Sequence, residues 1–525
     1  MLTLQRELLT TLLHPVSKSR KGGDSHVSAG QASSVHPPAA PRLPAVAERV
    51  EVSVHPVRAL KFARAQGTRF VSELKEFLRF PSVSSQPERA GDVSKCANWL
   101  ARHLQAIGLE RVRIIPTRGN PIVYASWLRA PGRPTLIIYG HYDVIPGEPA
   151  SAWHTPPFTP TVKNRNVHAR GAADDKGQLF SHVKALESWL RTERSLPVNV
   201  KCIFEGEEEI GSPHLTSFIA RNQRALRADA AVISDTRMLA PDRPALSYAQ
   251  RGGLRAELKI TGPRHELHSG NFGGAVLNPV QALCEMIASL HDTHGHVAIP
   301  GFYDDVRHWG EKERAFMART GPTDHEILQD AQVERGWGES GFSLYERTTI
   351  RPALTLNGMA GGHYGHGSKS IIAASAIAKL GFRLVPDQNP QKIAQLFRDH
   401  IARITPAAVH SSVRTFAPIE PALVDRNHPA LKAAAFAYKK GFGSPPVFIR
   451  SGGSIPVVNT FQQILGCPAV LMGFGLPDDQ IHGPNEKFHL PNFYKAIATS
   501  IWYLAAAAKL RSAQSLQRKM EWRTP

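Results

Sequence analysis

The apolar run VNVKCIF empties into three successive glutamates in the segment FEGEEEIGS (Phe204–Ser212). An acidic triplet after a strand can be no more than a solvated loop, but the rest of the chain argues for chemistry. LIIYGHYDV (Leu136–Val144) is another apolar run, ending in His141 and Asp143. GAADDKG (Gly171–Gly177) sets Asp174 and Asp175 just ahead of a helical pattern, AAVISD ends on Asp235, and IHGPNEKF presents His482 soon after the run PAVLMGFG. Nitrogen and oxygen donors of this kind suit zinc or another divalent transition metal, not a soft ion or an iron–sulfur cluster.

For these donors to meet, the runs must lie side by side. They are short, rich in β-branched and aliphatic residues, and separated by helical patterns, which is how buried parallel strands read. In an open parallel sheet, ligands bind in the crevice at the carboxyl ends of the strands, where neighbouring loops converge. Helical stripes surround the runs. Phe70, Val71, Leu74, Phe77 and Leu78 form one that Pro81 stops; Val93, Cys96, Ala97, Leu100, Leu104 and Ile107 form another, with Asp92 as candidate cap and Gly108 as its end. Leu179, Phe180, Val183, Leu186 and Leu190 form a third directly after Asp174 and Asp175. The class is α/β, a catalytic domain with a mostly parallel sheet flanked by helices.

The pattern changes at Tyr248–Gly253. LRAELKITG (Leu254–Gly262) and IAKLGFRLVP (Ile377–Pro386) alternate strictly, as strands with one wet face do, and the helical patterns Val280–Leu290 and Pro390–Ile404 accompany them. This reads as a smaller α+β domain over residues 248–422, inserted in a domain made of residues 61–247 and 423–525. Residues 1–60, rich in Ser, Gly, Pro and Ala, are expected to be a disordered tail, with no targeting signal in it.

Composition excludes several classes. The chain of 525 residues is 42% apolar and 20% charged, ordinary for a globular protein and long enough for two domains. No apolar run approaches the ~18 residues that cross a bilayer, so no membrane partner is expected. The net charge of +19 is spread without a dense basic stripe, zinc-finger spacing or aromatic interleaving, which argues against nucleic acid as partner. Cys96, Cys202, Cys284 and Cys467 are far apart and unpaired in spacing, pointing to a reduced, cytoplasmic protein.

GHYDV, ARGAADDKG, FEGEEEIGS, ISD, ELHSG, FRLVP, RSGGSIPV and HGPNEKF, in this order over about residues 68–510, resemble the zinc exopeptidase family of carnosinase, cytosolic non-specific dipeptidase, carboxypeptidase G and acetylornithine deacetylase. The resemblance implies two zinc ions, with manganese or cobalt as alternatives. His141, Asp174 and Asp235 would hold one, Asp174, Glu209 and His482 the other, with Asp174 bridging and the Asp174–Asp175 bond cis. It makes Asp143 the carboxylate that orients a ligand imidazole and Glu208 the general base. It makes His268 the oxyanion-stabilising histidine that reaches the site of a partner subunit in a lid-mediated homodimer. Arg383 and the Gly452–Gly453–Ser454 turn would hold the substrate's terminal carboxylate. Glu207 has no role in it and is expected to be solvated; His265, His363 and His366 are unassigned.

The DDKG turn and the aspartate at position 235 resemble the dipeptidase branch. The expected activity is hydrolysis of a dipeptide or short peptide. An N-acyl amino acid deacylase using the same site is the alternative, and a non-catalytic metal-binding homodimer a third reading that Glu208 argues against.

Overall fold

Residues 54–510 are described by the computed structural model of this chain. The expected tail falls outside them up to residue 53, and its last residues belong to the helix Val57–Ala65.

The apolar runs form a nine-stranded mixed sheet. Its centre is parallel. Thr135–His141 lies between Asn199–Glu205 and Ala230–Ile233, and Ala469–Leu471 continues the sheet beside the latter. Side chains alternate into two cores: Leu136 and Ile138 face one, Ile137 and Tyr139 the other. Burial on both faces accounts for the near-continuous hydrophobicity of these strands. Outside this centre the sheet turns antiparallel, through Ile122–Trp127 and Glu110–Ile115 at one side and Ala245–Gln250 at the other.

The stripes fold as helices. Gly67–Leu78 buries Phe70, Leu74, Phe77 and Leu78, and Lys176–Glu193 is buried along most of its length against the sheet. Asp92 is not a cap: the helix Ala90–Ala106 starts two residues earlier, and Asp92 pairs with Arg89 and Lys95 in its first turn. There an acid still complements the helix dipole.

At Arg251 the chain leaves the large sheet for a four-stranded antiparallel one, ordered Ala353–Gly361, Ser375–Leu384, Gly252–Thr261, His410–Ile419. Leu254, Ala256, Leu258 and Ile260 pack with Ala378, Leu380 and Phe382 on a separate core under the helices Pro279–Ala288 and Pro390–Ile404. It returns through Ala422–Leu423, which pairs with Ala245–Gln250. No described helix is long and apolar enough to cross a membrane.

One buried polar cluster lies outside the sheet edge that carries the acidic motifs. Glu73, His103 and Glu187 bring ligand-type atoms within 4.8 Å of one another, but the Lys184 ammonium stands among them, 2.5 Å from Glu73, 2.8 Å from Glu187 and 2.6 Å from His103 Nε2. A lysine already fills the place of a cation there. Burial, aided by Lys184, pushes His103 down to about 4. Between about pH 6.5 and 4 the unfolded chain therefore takes a proton that the folded chain refuses, and stability falls as pH falls. Urea unfolding should show His103 contributing about 2 kcal/mol to the stability lost from pH 7 to pH 5, and His103→Gln should remove that part of the slope. Equal slopes would refute it.

Candidate metal centre and active site

Every metal-ligand candidate stands at the carboxyl end of the parallel strands or on a loop folded over it. His141 closes the strand Thr135–His141, and its ring is fully buried. Gly140 lets this happen: a Cβ there would lie 2.6 Å from Asp175 Oδ2 and 2.8 Å from Leu179 Cδ1. The loop that carries Asp174 and Asp175 thus passes directly over the strand end, and the His141 N–H donates to Asp175 Oδ2 at 3.3 Å. The Asp174–Asp175 peptide bond is cis.

Asp174 faces both histidines. Its Oδ1 lies 3.0 Å from His141 Nε2 and its Oδ2 3.1 Å from His482 Nε2. Glu209 Oε2 is 3.2 Å from the same His482 nitrogen. Two sets of donor atoms fall within 4.8 Å of one another: Asp174, Glu209 and His482 in one, His141, Glu208 and Asp235 in the other. Asp235 follows the strand Ala230–Ile233. Asp143 ties the two sets together. Its carboxylate accepts the N–H groups of Glu208 (3.2 Å) and Glu209 (3.1 Å), and it stands 3.4 Å from His141 Nδ1, whose nearer contact is the Asp143 carbonyl at 3.1 Å.

The electrostatics of this cluster ask for cations. Burial drives Glu208 up to about 8 against the pull of His141, with Glu209, Asp174 and Glu205 adding to the rise. Asp235 is raised well above the carboxylate range, by burial first and then by Asp174. Asp174 is held low, its burial outweighed by the hydrogen bonds from the two imidazoles, and hydrogen bonds to Asp174 and Glu209 lift His482 to about 10. Two imidazoles are too little positive charge for these carboxylates, and their nitrogen and oxygen donors fit divalent cations.

Several residues of this framework were not found in the sequence. Glu486 is fully buried and accepts from the N–H groups of Gly171, Ala173 and Asp174 and from Arg170 Nη1, so the Asp174 loop is wrapped around one carboxylate. Its place four residues after His482 was the available signal. Glu205 accepts from Tyr139 OH (2.5 Å) and Ser212 Oγ (2.8 Å), bracing both ends of the glutamate turn. Glu207 corrects an expectation: it is 4% exposed, not solvated, and accepts from Asn120 N at 3.0 Å and meets His214 Nδ1 at 2.8 Å.

From the donor sets a cavity of ≈ 600 Å³ extends past Asp174, Glu208, Asp235 and His482 to Gly452, Gly453 and Ser454. Arg383, on the four-stranded sheet, donates from Nη1 to Ser454 Oγ at 3.0 Å, and Ser454 Oγ donates to the Arg251 carbonyl at 2.6 Å. The Gly453 N–H donates to Ser451 Oγ at 3.2 Å, and Gly452 supplies its carbonyl to Arg251 Nε at 3.1 Å. His268 is not brought here. It is exposed on the short strand Leu267–His268, paired with Ile371–Ile372, with its Nδ1 accepting from Gly270 N.

Comparison with known proteins shows the family and the fold. The chain is 30% identical over 462 residues to a Cys-Gly metallodipeptidase of Schizosaccharomyces pombe, covering 84% of this chain and 96% of that one. The structure of human carnosine dipeptidase 1 superposes with a TM-score of 0.78 at 27% identity, covering 87% of this chain and 99% of that chain. An M20 family metallo-carboxypeptidase from Sulfolobus solfataricus gives 0.77 at 34% identity, with 84% and 99% covered. The model of peptidase family M20/M25/M40 matches residues 137–506, a span that begins in the strand of His141 and ends beyond His482, and the chain belongs to that family.

Proposed function

We propose that this protein is a metal-dependent dipeptidase, hydrolysing the amide bond of dipeptides or short peptides with a free terminus. The observation that carries the proposal is the position of Asp174, one oxygen toward each histidine, in the lining of a cavity that also takes in Ser454, to which the Arg383 guanidinium is hydrogen-bonded. The relatives named as Cys-Gly metallodipeptidase and Beta-Ala-His dipeptidase support the substrate class.

His141, Asp174, Asp235, Glu209 and His482 would hold two divalent cations, zinc or alternatively manganese or cobalt. Such a pair polarises a carbonyl and acidifies water. Glu208 lies beside His141 and Asp235, and the family resemblance leaves it free of the metals, so its carboxylate accepts the proton of the attacking water and returns it to the leaving amine. Asp143 keeps Glu208 and Glu209 on opposite tasks by fixing the backbone of both. Arg383 and the Gly452–Gly453–Ser454 turn receive the substrate carboxylate, a guanidinium fork with polar groups of the turn beside it. Arg383→Ala should therefore raise KM for dipeptides about tenfold or more, the weight of one charge-assisted hydrogen bond, with a smaller change in kcat; an unchanged KM would count against that role.

We also assign residues 248–422 as the lid and dimerisation domain of a homodimer. The strand Ala353–Gly361 is an outer edge of the four-stranded sheet, with Leu356 and Met359 exposed, and an open edge invites pairing. His268 then serves the cavity of the other subunit. Mixing Glu208→Ala with His268→Ala protomers should restore part of the activity, and no recovery despite subunit exchange would rule this out. The unpaired cysteines Cys96, Cys202, Cys284 and Cys467 support a reducing, cytoplasmic setting.

The test of the activity is a hydrolysis screen of the zinc-loaded protein against free dipeptides and N-acylated single amino acids, with Glu208→Ala as blank. Cleavage of the free dipeptides, lost in the blank, is expected. Cleavage of only the acylated set would make the protein a deacylase, and silence from both would leave a metal-binding scaffold.

A further inference from the structure

The strands that deliver the metal donors have another end. Thr135 pairs with Asn199 where the two central strands begin, six residues before His141 and Glu205 pair where they finish. At that beginning lies a cavity of ≈ 770 Å³, within the ~300–1,000 Å³ typical of small-molecule sites. Arg133, Lys201, Arg224 and Arg227 line it, and among the described residues no carboxylate does.

Lys201 is the informative member. It is 7% exposed, and its ammonium donates to the Arg227 carbonyl at 2.6 Å. Burial lowers it to about 8, against the pull of Asp229. Asp229 also accepts the Thr135 N–H at 2.7 Å. Arg133 donates from Nη1 to the Ala508 carbonyl at 3.3 Å, and Arg224 and Arg227 are exposed. A concave surface with four cations and no lining acid concentrates positive potential, and a neutral ligand would gain nothing from it. Balancing that charge within one small volume needs several negative charges on one molecule. Phosphate groups carry ≈ −1.5 to −2 each at neutral pH and suit guanidinium forks. Leu128, Ile464 and Leu465 give the same cavity an apolar wall.

We propose that this cavity binds a small phosphorylated molecule with two or more phosphate groups, the phosphates on Arg133, Lys201, Arg224 and Arg227 and an apolar part against Leu128, Ile464 and Leu465. The site lies at the opposite end of the strands from the proposed catalytic centre, so its ligand is not the peptide substrate, and it stands or falls independently of the dipeptidase reading.

The test is equilibrium binding of ATP and of inorganic tripolyphosphate to the full-length protein at 0.15 M salt. The wild type is compared with Arg224→Ala/Arg227→Ala, with Lys201→Met, and with Arg79→Ala/Arg102→Ala, which removes the same charge from exposed residues elsewhere. Both probes chelate divalent ions, but equally so with every variant. Saturable binding is expected, tighter for ATP through its base. Affinity should fall at least about tenfold in Arg224→Ala/Arg227→Ala and stay unchanged in the remote double variant, a difference expected for losing one or more charge-assisted contacts. Lys201→Met should fall likewise. Because Arg224 and Arg227 are exposed, their variant does not risk the fold. No saturable binding by the wild type, or equal affinity in the two double variants, would overturn the proposal.

Discussion

Glu208→Gln should lower kcat for dipeptide hydrolysis by about 10²–10⁴-fold, the range supplied by a positioned general base, while the bound-metal content stays that of the wild type. The argument rests on what the substitution leaves in place. Glutamine keeps the shape of the side chain and leaves the backbone N–H of residue 208 free to donate to Asp143 Oδ1. Glu209, which points instead at His482, is untouched. What is lost is the ability to accept and return a proton. Metal analysis together with steady-state kinetics checks the prediction. A parallel loss of metal would mean that Glu208 is a ligand, as its proximity to His141 and Asp235 makes conceivable; an active variant would remove it from the mechanism.

Asp174→Asn should be more severe in a different way, losing metal and activity together. Its two oxygens face one imidazole each, at 3.0 and 3.1 Å, so one residue serves both donor sets. Asparagine offers one carbonyl oxygen and no charge, and its amide nitrogen would turn a donor toward one of the two positions. Even an outer partner of a metal ligand is worth about 10–100-fold in affinity, and a shared ligand should cost at least that at both positions. Metal binding measured by titration should weaken for both equivalents in the variant. Weakening of one equivalent alone would show that Asp174 does not bridge.

Much of this site was legible because His141, Glu208, Glu209 and Asp235 follow closely on apolar runs, and a parallel sheet collects such positions at one edge; Asp174 and His482 stand on loops, ahead of a helix and beyond the last strand of that sheet, and were legible only from their motifs. The helical stripes of Gly67–Leu78 and Pro390–Ile404 were readable for the same reason, a sustained period with clear stops. Glu486 and Glu207 were not. Glu486 is held by backbone N–H groups more than 300 residues away in sequence, and nothing in local composition separates a carboxylate so held from a solvated one. The antiparallel strand Ile122–Trp127 lacked alternation because both of its faces are covered, and Ala353–Gly361 lacked it because most of that strand is exposed. His268 lies outside the lining of its own chain's cavity, as a residue expected to serve the partner subunit's site would.

The most direct measurement is a titration of the chelator-stripped protein with zinc while dipeptide hydrolysis is followed. The account predicts no hydrolysis without metal and a rise that levels at two equivalents per chain, one for each donor set. Hydrolysis by the stripped protein, or full activity at one equivalent, would contradict it.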